Sequence, residues 1–331
     1  MIVSASRRTD IPAFYLDWWI GRLRARRVRV VNPFNARQQR EVRLDPDAVD
    51  AIVFWTRAPG RLARELDAIR ATGHRRLAAL VTVTGYGPPL EPHGPSLRVA
   101  IDGFLRLAGA LGPGAVRWRY DPIVLGPSEP PARHAERFAR IARALEGATD
   151  RVILSFVDFY RKTERRLATL VPGGWPAERD AAASARGARL LAELVRIARG
   201  HGMHVTTCAE ERDFGAAGAA PGACIDPGWL AGLFPERSFP QVKDRGQRPA
   251  CRCAPSVDVG APDTCLFGCA YCYATRSESA ARARHARHDP AADTLVPPAS
   301  SAQRTAGSSG TASGRSAGST SPTRSASRTA G

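Results

Sequence analysis

Three cysteines late in the sequence, Cys265, Cys269 and Cys272, follow the spacing Cys-x3-Cys-x2-Cys. A loop with this spacing can present three thiolates to three irons of a cube-shaped iron–sulfur cluster. Such clusters are normally held by four cysteine thiolates, so three leave one iron without a protein ligand. These three residues, the triad, therefore predict a [4Fe–4S] cluster with one iron free to chelate and reduce a small molecule.

The other four cysteines, the tetrad, are Cys208, Cys224, Cys251 and Cys253, and the first 207 residues contain no cysteine. Cysteines crowded into one region of an intracellular chain indicate metal or redox chemistry before disulfides. Four thiolates complete either a second iron–sulfur cluster or a closed zinc site. We predict an auxiliary metal centre at the tetrad; metal binding by the triad alone is the alternative.

Short apolar segments alternate with amphipathic segments, which predicts a parallel β/α barrel. The predicted strands are 2–6, 51–56, 77–84, 115–120, 152–157 and 203–208, and the predicted helices are 14–26, 61–71, 97–111, 132–145 and 181–199. The segment 28–44 is typical of an inserted hairpin. We expect residues 1–250 to form the barrel body and residues 251–295 to complete it with a cluster loop and a helix.

Polar residues follow several of these strands. Because the active sites of β/α barrels gather at the carboxyl ends of the strands, Arg119, Asp121 and Glu210 are candidate catalytic groups. Arg7 and Asp10 are candidate cofactor contacts. The alternatives are that the carboxylates cap helices and that the arginines pair with acidic residues.

Length and composition place further bounds on the protein. No stretch of about 18 apolar residues occurs, and the first residues lack a secretory core, so we expect a cytoplasmic protein without a membrane partner. The net charge of +17 is compatible with a nucleic-acid partner, although the abundance of Arg, Ala, Gly and Pro indicates GC-rich coding as another cause. His134 shows no ligand spacing and is expected at the surface. Residues 296–331 lack apolar periodicity and predict a disordered tail; a frameshift is the alternative origin.

Residues 264–274, TCLFGCAYCYA, resemble the cluster loop of radical S-adenosylmethionine enzymes. Over residues 1 to about 295 the chain resembles a bacterial family, domain of unknown function 1848 (DUF1848). This resemblance is carried by SASRRTDIPA at 4–13, NPFN at 32–35, FWT at 54–56, RYDPI at 119–123, FVDFYRK at 156–162, CAE at 208–210, CRC at 251–253 and DVG at 258–260. The RYDPI segment is also distantly similar to a strand-end motif of spore photoproduct lyase-like proteins.

The resemblance implies a chemistry for the triad. In that superfamily the open iron of a [4Fe–4S] cluster binds S-adenosylmethionine, and an electron from an external donor cleaves it to methionine and a 5′-deoxyadenosyl radical. The radical then takes a hydrogen from a substrate, which this sequence does not identify. The resemblance also implies that Tyr271 lies against the adenine of S-adenosylmethionine. The Gly-Gly-Glu run that often binds the methionine amino group is not evident.

The position of the triad departs from the superfamily, in which it usually follows the first strand. A circular permutation accounts for this difference, since the first and last strands of a barrel are neighbours. We therefore expect a strand near 257–260 to pair beside 2–6, followed by a helix from about 271 to 285.

Two alternative functions remain at this stage. One is a nucleic-acid-repair-type lyase of the same superfamily, for which a gel shift with duplex DNA across a salt series is the test, because phosphate-driven binding is strongest at low salt. The other is a non-enzymatic binding protein stabilised by zinc. A brown colour of the anaerobically purified protein indicates an iron–sulfur cluster. A colourless protein that contains zinc indicates the zinc-stabilised binding protein.

Overall fold

A parallel sheet of eight strands lies at the centre of the protein, whose computed structural model describes residues 1–33 and 35–297, without the side chain of residue 36. The strands are β1 (Ile2–Ala5), β2 (Arg27–Asn32), β3 (Asn35–Arg43), β4 (Ala51–Thr56), β5 (Leu77–Thr82), β6 (Val116–Ile123), β7 (Arg151–Phe156), β8 (His204–Cys208), β9 (Ala219–Gly222) and β10 (Val257–Asp258). The helices are α1 (Ile11–Phe14), α2 (Leu16–Arg24), α3 (Pro59–Arg70), α4 (Leu97–Leu111), α5 (Pro131–Leu145), α6 (Arg161–Thr169), α7 (Ala185–Gly200), α8 (Pro227–Leu233) and α9 (Glu278–His285).

The strand order is β10-β1-β4-β5-β6-β7-β8-β9, and each neighbouring pair is parallel. This arrangement confirms the predicted α/β class. Within residues 1–33 and 35–297 the outermost strands, β10 and β9, are not paired with each other, so closure into a barrel is not shown. The described helices include none that combines the length and the apolar character needed to cross a bilayer.

Continuous apolar runs form the middle of the sheet. Every residue of β4 and β5 is buried, as expected for parallel strands whose two faces are both covered. The helices cover them with amphipathic faces; α4, for example, buries Phe104 and Leu107. The predicted hairpin is confirmed as β2 and β3, which pair antiparallel outside the main sheet.

The edge of the sheet joins the start of the chain to the segment before the triad. Strand β10 pairs with β1 through Val3 with Val257 and Ser4 with Asp258, which confirms the expected pairing. Asp258 then accepts hydrogen bonds from the Ser4 hydroxyl at 3.0 Å and the Arg7 backbone N–H at 2.9 Å. The triad loop is therefore led back to the carboxyl end of β1.

Position 260, directly after β10, requires glycine because the backbone there passes close to Ser6. A Cβ atom at Gly260 would lie 2.1 Å from Ser6 Oγ and 2.6 Å from Ser6 Cβ. We expect Gly260→Ala to lower the free energy of unfolding by about 2 to 3 kcal/mol, because overpacking a filled site forces the neighbours to move. Denaturant unfolding measures this effect.

Gly109 provides the matched control for that substitution. This glycine lies in α4 with open space around its Cβ position, so Gly109→Ala should stabilise the protein by roughly 0.5 to 1 kcal/mol. Ser6→Gly should restore part of the stability of the Gly260→Ala protein. Equal effects of the two alanine substitutions would contradict the packing argument.

Several sequence predictions need correction. The predicted helix 14–26 is interrupted at Tyr15, where α1 ends before α2 begins. The helix after the triad begins at Glu278, not near Tyr271, because residues 271–276 are held by contacts with other segments, such as the Arg276 backbone N–H donating to Asp263. The predicted tail, 296–331, lies outside the described residues from residue 298 onwards.

His134 is fully buried on α5, so its expected surface position was wrong. Its ring lies 2.9 Å from the Tyr120 hydroxyl and 3.2 Å from the Val124 carbonyl oxygen. Burial, followed by the nearby Arg137 charge, lowers the pKa of His134 from 6.5 to about 4, against the raising effect of its bond to Val124. The folded protein therefore resists protonation of this ring.

This burial predicts a loss of stability in acid. Below pH 6.5 the unfolded chain takes up a proton at His134 before the folded protein does. Stability should therefore fall by up to about 3 kcal/mol as the pH drops from 6.5 to about 4. His134→Gln keeps polar atoms at the site without titrating, so its free energy of unfolding should depend less on pH in this window. Parallel pH profiles for the two proteins would contradict this expectation.

Candidate metal centre

A cavity of about 340 Å³ opens at the carboxyl ends of the parallel strands, and all seven cysteines line it. Its wall also includes residues that end or directly follow five strands of the sheet: Ser6 after β1, Thr56 in β4, Thr82 in β5, Phe156 in β7 and Ala209 after β8. The structure thus brings the triad and the polar strand ends to one place.

The triad thiols lie close together in an environment of low polarity. Cys269 is buried, and Cys265 and Cys272 are partly buried. Burial, followed by the other thiols of the triad, raises the pKa of Cys265. Burial also raises the pKa of Cys269 to about 12, although the Arg57 charge acts in the opposite direction. A metal centre at this site would have to displace protons from these thiols, as thiolate coordination generally does.

Backbone contacts hold the triad loop over the sheet. The guanidinium of Arg166 on α6 donates to the carbonyl oxygens of Cys269, at 3.2 Å, and of Cys272. The Ala270 N–H donates to the Leu90 carbonyl oxygen at 2.9 Å. The loop is therefore fixed by two segments that are distant from it in sequence.

Tyr271 belongs to a buried polar cluster beneath the triad. Its hydroxyl donates to Glu91 and accepts from Arg57 Nη1 at 2.8 Å. Arg57 Nη2 lies 2.5 Å from Glu91 Oε1, and Thr84 donates to the same oxygen at 2.5 Å. Since Tyr271 lines the cavity, this cluster sets the position of the ring that the resemblance places against adenine.

Arg119 and Asp121 form an ion pair on the cavity wall. The guanidinium of Arg119 also lies 4.9 Å from the centre of the Trp55 ring, a cation–π distance. Both candidate catalytic residues therefore face the cavity, but each is already the partner of the other.

Arg7 and Asp10, the candidate cofactor contacts, also line the cavity. The Arg7 guanidinium pairs with Asp258 at 3.7 Å. Asp10 caps α1 by accepting from the Ala13 N–H at 2.9 Å and also accepts from the Arg57 N–H at 2.7 Å. Burial raises the pKa of Asp10 to about 6, although these hydrogen bonds lower it. Asp10 thus has the capping contact that was the alternative to a cofactor contact.

Glu210 differs from the other candidates because it is not part of the cavity lining. It accepts hydrogen bonds from the Ser155 hydroxyl at 3.0 Å and the Phe156 N–H at 2.8 Å. Burial, with smaller contributions from Asp121 and Asp158, raises its pKa to about 7 against these two bonds. Its contacts connect the loop after β8 to the end of β7.

The tetrad is a second cluster of sulfur atoms on the same cavity. The Sγ atoms of Cys208 and Cys224 are 3.2 Å apart, and the Ile225 N–H donates to Cys253 Sγ at 3.4 Å. Interactions with the Cys224 thiol and then with the Cys251 thiol lower the pKa of Cys253. Over the described ranges, no group of three or more His, Cys, Asp or Glu side chains is already arranged to hold a single metal ion.

Five side chains of the cavity wall have a buried polar atom without a hydrogen-bond partner in the described part of the chain: Thr9 Oγ1, Trp55 Nε1 and the Nε atoms of Arg7, Arg57 and Arg119. Because buried polar atoms are nearly always hydrogen-bonded, these donors are unsatisfied groups within the wall.

Arg57, Glu91 and Arg166 were not predicted as site residues. Arg57 follows a predicted strand directly, which was an available signal. Glu91 lies in the long segment between β5 and α4, and Arg166 lies on the unpredicted α6, so neither had a local signal.

The fold and the cavity define an α/β protein with a cysteine-lined pocket at the carboxyl edge of a parallel sheet. The profile of the family described as "Domain of unknown function (DUF1848)" matches residues 2–274, which include all seven cysteines. The chain therefore belongs to this family. A search of curated proteins finds no match.

Proposed function

We propose that the protein is an iron–sulfur enzyme that cleaves S-adenosylmethionine, with the triad as the ligands of a [4Fe–4S] cluster. The observation that carries this proposal is that the three spaced cysteines and the polar strand ends line one cavity. The Cys265 thiol interacts electrostatically with those of Cys272 and Cys269, and cysteine thiolates are the usual ligands of iron–sulfur clusters. The donor set of the triad therefore fits a cluster.

The cavity also fits a polar cofactor beside that cluster. The cavity wall combines the guanidinium groups of Arg7 and Arg8 with aromatic side chains such as Trp55, a lining that suits the carboxylate and the adenine of S-adenosylmethionine. When bound, the cluster and S-adenosylmethionine would supply one-electron reductive cleavage, with the electron coming from an external donor. The family resemblance and the β10–β1 pairing support the finer view of a permuted, partial barrel.

The chain itself orients and shields this site. Arg57 and Glu91 fix Tyr271 from below, and Arg166 fixes the carbonyl oxygens of the triad loop from α6. Phe267 packs against Phe14 with ring centres 4.7 Å apart and covers the loop on its apolar side. These contacts would hold the ligands in place and exclude water while Arg119 and Asp121 face the substrate.

The test is made on wild-type protein reconstituted anaerobically with iron and sulfide and then reduced. We expect brown protein that converts S-adenosylmethionine to methionine and 5′-deoxyadenosine, measured by chromatography with mass detection. Protein that binds about four irons at the triad but releases neither product would reject the enzyme while leaving the cluster. Colourless protein without iron would reject both.

A further inference from the structure

The tetrad joins three separate segments of the chain. Cys208 ends β8, Cys224 lies two residues after β9, and Cys251 and Cys253 lie in residues 234–256, which contain neither helix nor strand. Cys224, Cys251 and Cys253 are buried, and Cys208 is partly buried. Four thiols converge here although they are separated by up to 45 residues of sequence, a span read from Cys208 and Cys253.

The contacts between these sulfurs distinguish one metal ion from a second cluster. Four sulfurs at 2.3 Å from a tetrahedral ion lie about 3.8 Å from one another, whereas sulfurs on different irons of a cubane lie much farther apart. The Cys208 and Cys224 sulfurs are 3.2 Å apart, and Cys253 Sγ accepts at 3.4 Å from the N–H of Ile225, the residue that follows Cys224. The geometry points to a single zinc ion bound by all four tetrad thiolates, a site that does not depend on the cluster at the triad.

Positively charged side chains and a backbone N–H group surround the tetrad sulfurs, and both stabilise a tetrathiolate zinc site. Binding Zn²⁺ displaces the thiol protons to solvent and leaves a complex of net charge −2. The guanidinium groups of Arg7, Arg119 and Arg248 lie close enough to interact with tetrad sulfurs, although each also pairs with an aspartate. The Ile225 N–H donates to Cys253 Sγ at 3.4 Å, the kind of outer contact that orients a ligating sulfur.

The sulfurs must move to admit the ion. Those of Cys208 and Cys224 must separate by ~0.6 Å from their present 3.2 Å to reach the tetrahedral spacing. Rotation about the side-chain torsions of the cysteines moves these sulfurs. Among the described residues, no group of three or more His, Cys, Asp or Glu side chains is already arranged to hold an ion.

A zinc ion at this position would tie residues 234–256 to the sheet. A segment of this length without secondary structure has few backbone bonds of its own and needs other links. Two of the four ligands lie in it, one ends β8, and one lies two residues after β9. The ion would therefore join this segment to the carboxyl ends of two strands.

The experiment measures zinc and iron separately in three full-length proteins: wild type, a variant with all three triad cysteines changed to alanine, and Cys251→Ser/Cys253→Ser. We expect about one zinc per chain in wild type and in the triad variant, and at least a tenfold loss of zinc in the tetrad variant. Iron should follow the triad instead. Because zinc is read independently of S-adenosylmethionine cleavage, failure of one proposal leaves the other open to its own test.

A measurement on wild type covers the case in which the tetrad variant does not fold. Alkylation followed by peptide mass analysis should find the four tetrad thiols protected, and a zinc chelator should expose them together. About four irons and no zinc in the triad variant would overturn the proposal in favour of a second cluster. Four reactive thiols without metal, or a disulfide between Cys208 and Cys224, would also overturn it.

Discussion

A protein in which Cys265, Cys269 and Cys272 are all replaced by alanine should lose its cluster iron and its cleavage of S-adenosylmethionine. The three thiols line the cavity as a group, and no cluster can stay bound when all of its protein ligands are removed. The iron bound at the triad, counted apart from any metal at the tetrad, should fall from about four atoms per chain to below about 0.5. Methionine and 5′-deoxyadenosine should fall to the level of a sample without enzyme.

The Cys251→Ser/Cys253→Ser protein is the matched control, because it also removes buried thiols from the wall of the same cavity. It should keep the triad iron and its visible absorbance. Circular dichroism should show that the triad variant keeps its fold, since alanine replaces small side chains. Full iron loading of the triad variant would place the cluster elsewhere and refute the assignment.

Glu91→Leu should lower the free energy of unfolding by about 3 to 5 kcal/mol, the usual effect of leaving one charge of a buried ion pair without its partner. Arg57 and Glu91 are 14% and 6% exposed at their side chains. The Arg57 guanidinium would then be left with Tyr271 and Thr84 as neutral partners. Denaturant unfolding of the protein without metal gives the stability, and iron loading reports whether the triad loop keeps its position.

Two further variants make this result interpretable. Arg57→Met/Glu91→Leu removes both charges and should be more stable than Glu91→Leu alone. Glu193→Gln breaks the exposed pair with Arg196 on α7, at 2.7 Å, and should leave the denaturant midpoint unchanged because exposed pairs contribute little. A Glu91→Leu protein as stable as Glu193→Gln would show that the buried pair does not hold the site together.

The fold was largely predictable because the sequences of buried parallel strands are continuous apolar runs. The segments that became β4 and α4 have the predicted bounds, and the hairpin of β2 and β3 lies within one residue of the predicted segment 28–44. The pairing of β10 with β1 was also predictable, but only once the resemblance suggested a permutation. Composition and periodicity alone do not indicate a strand as short as Val257–Asp258.

The residues that hold the site in place were less predictable, because their contact partners are remote in sequence. Tyr271 and Glu91 are separated by 180 residues, and Arg166 and Cys269 by 103. A charged residue gives the same local pattern whether it is solvated or buried with a partner. His134 shows the same limit, since burial and its contacts with Tyr120 and Val124 arise only when α5 packs on the sheet.

The pairing of β1 with β10 has a consequence for synthesis on the ribosome. The outer edge of the first strand stays bare until residues 257 and 258 have been translated. At 5 to 20 residues per second this delay is roughly 13 to 50 seconds. A bare strand edge invites pairing with other chains, so a nascent polypeptide halted before Val257 should be a client for chaperones.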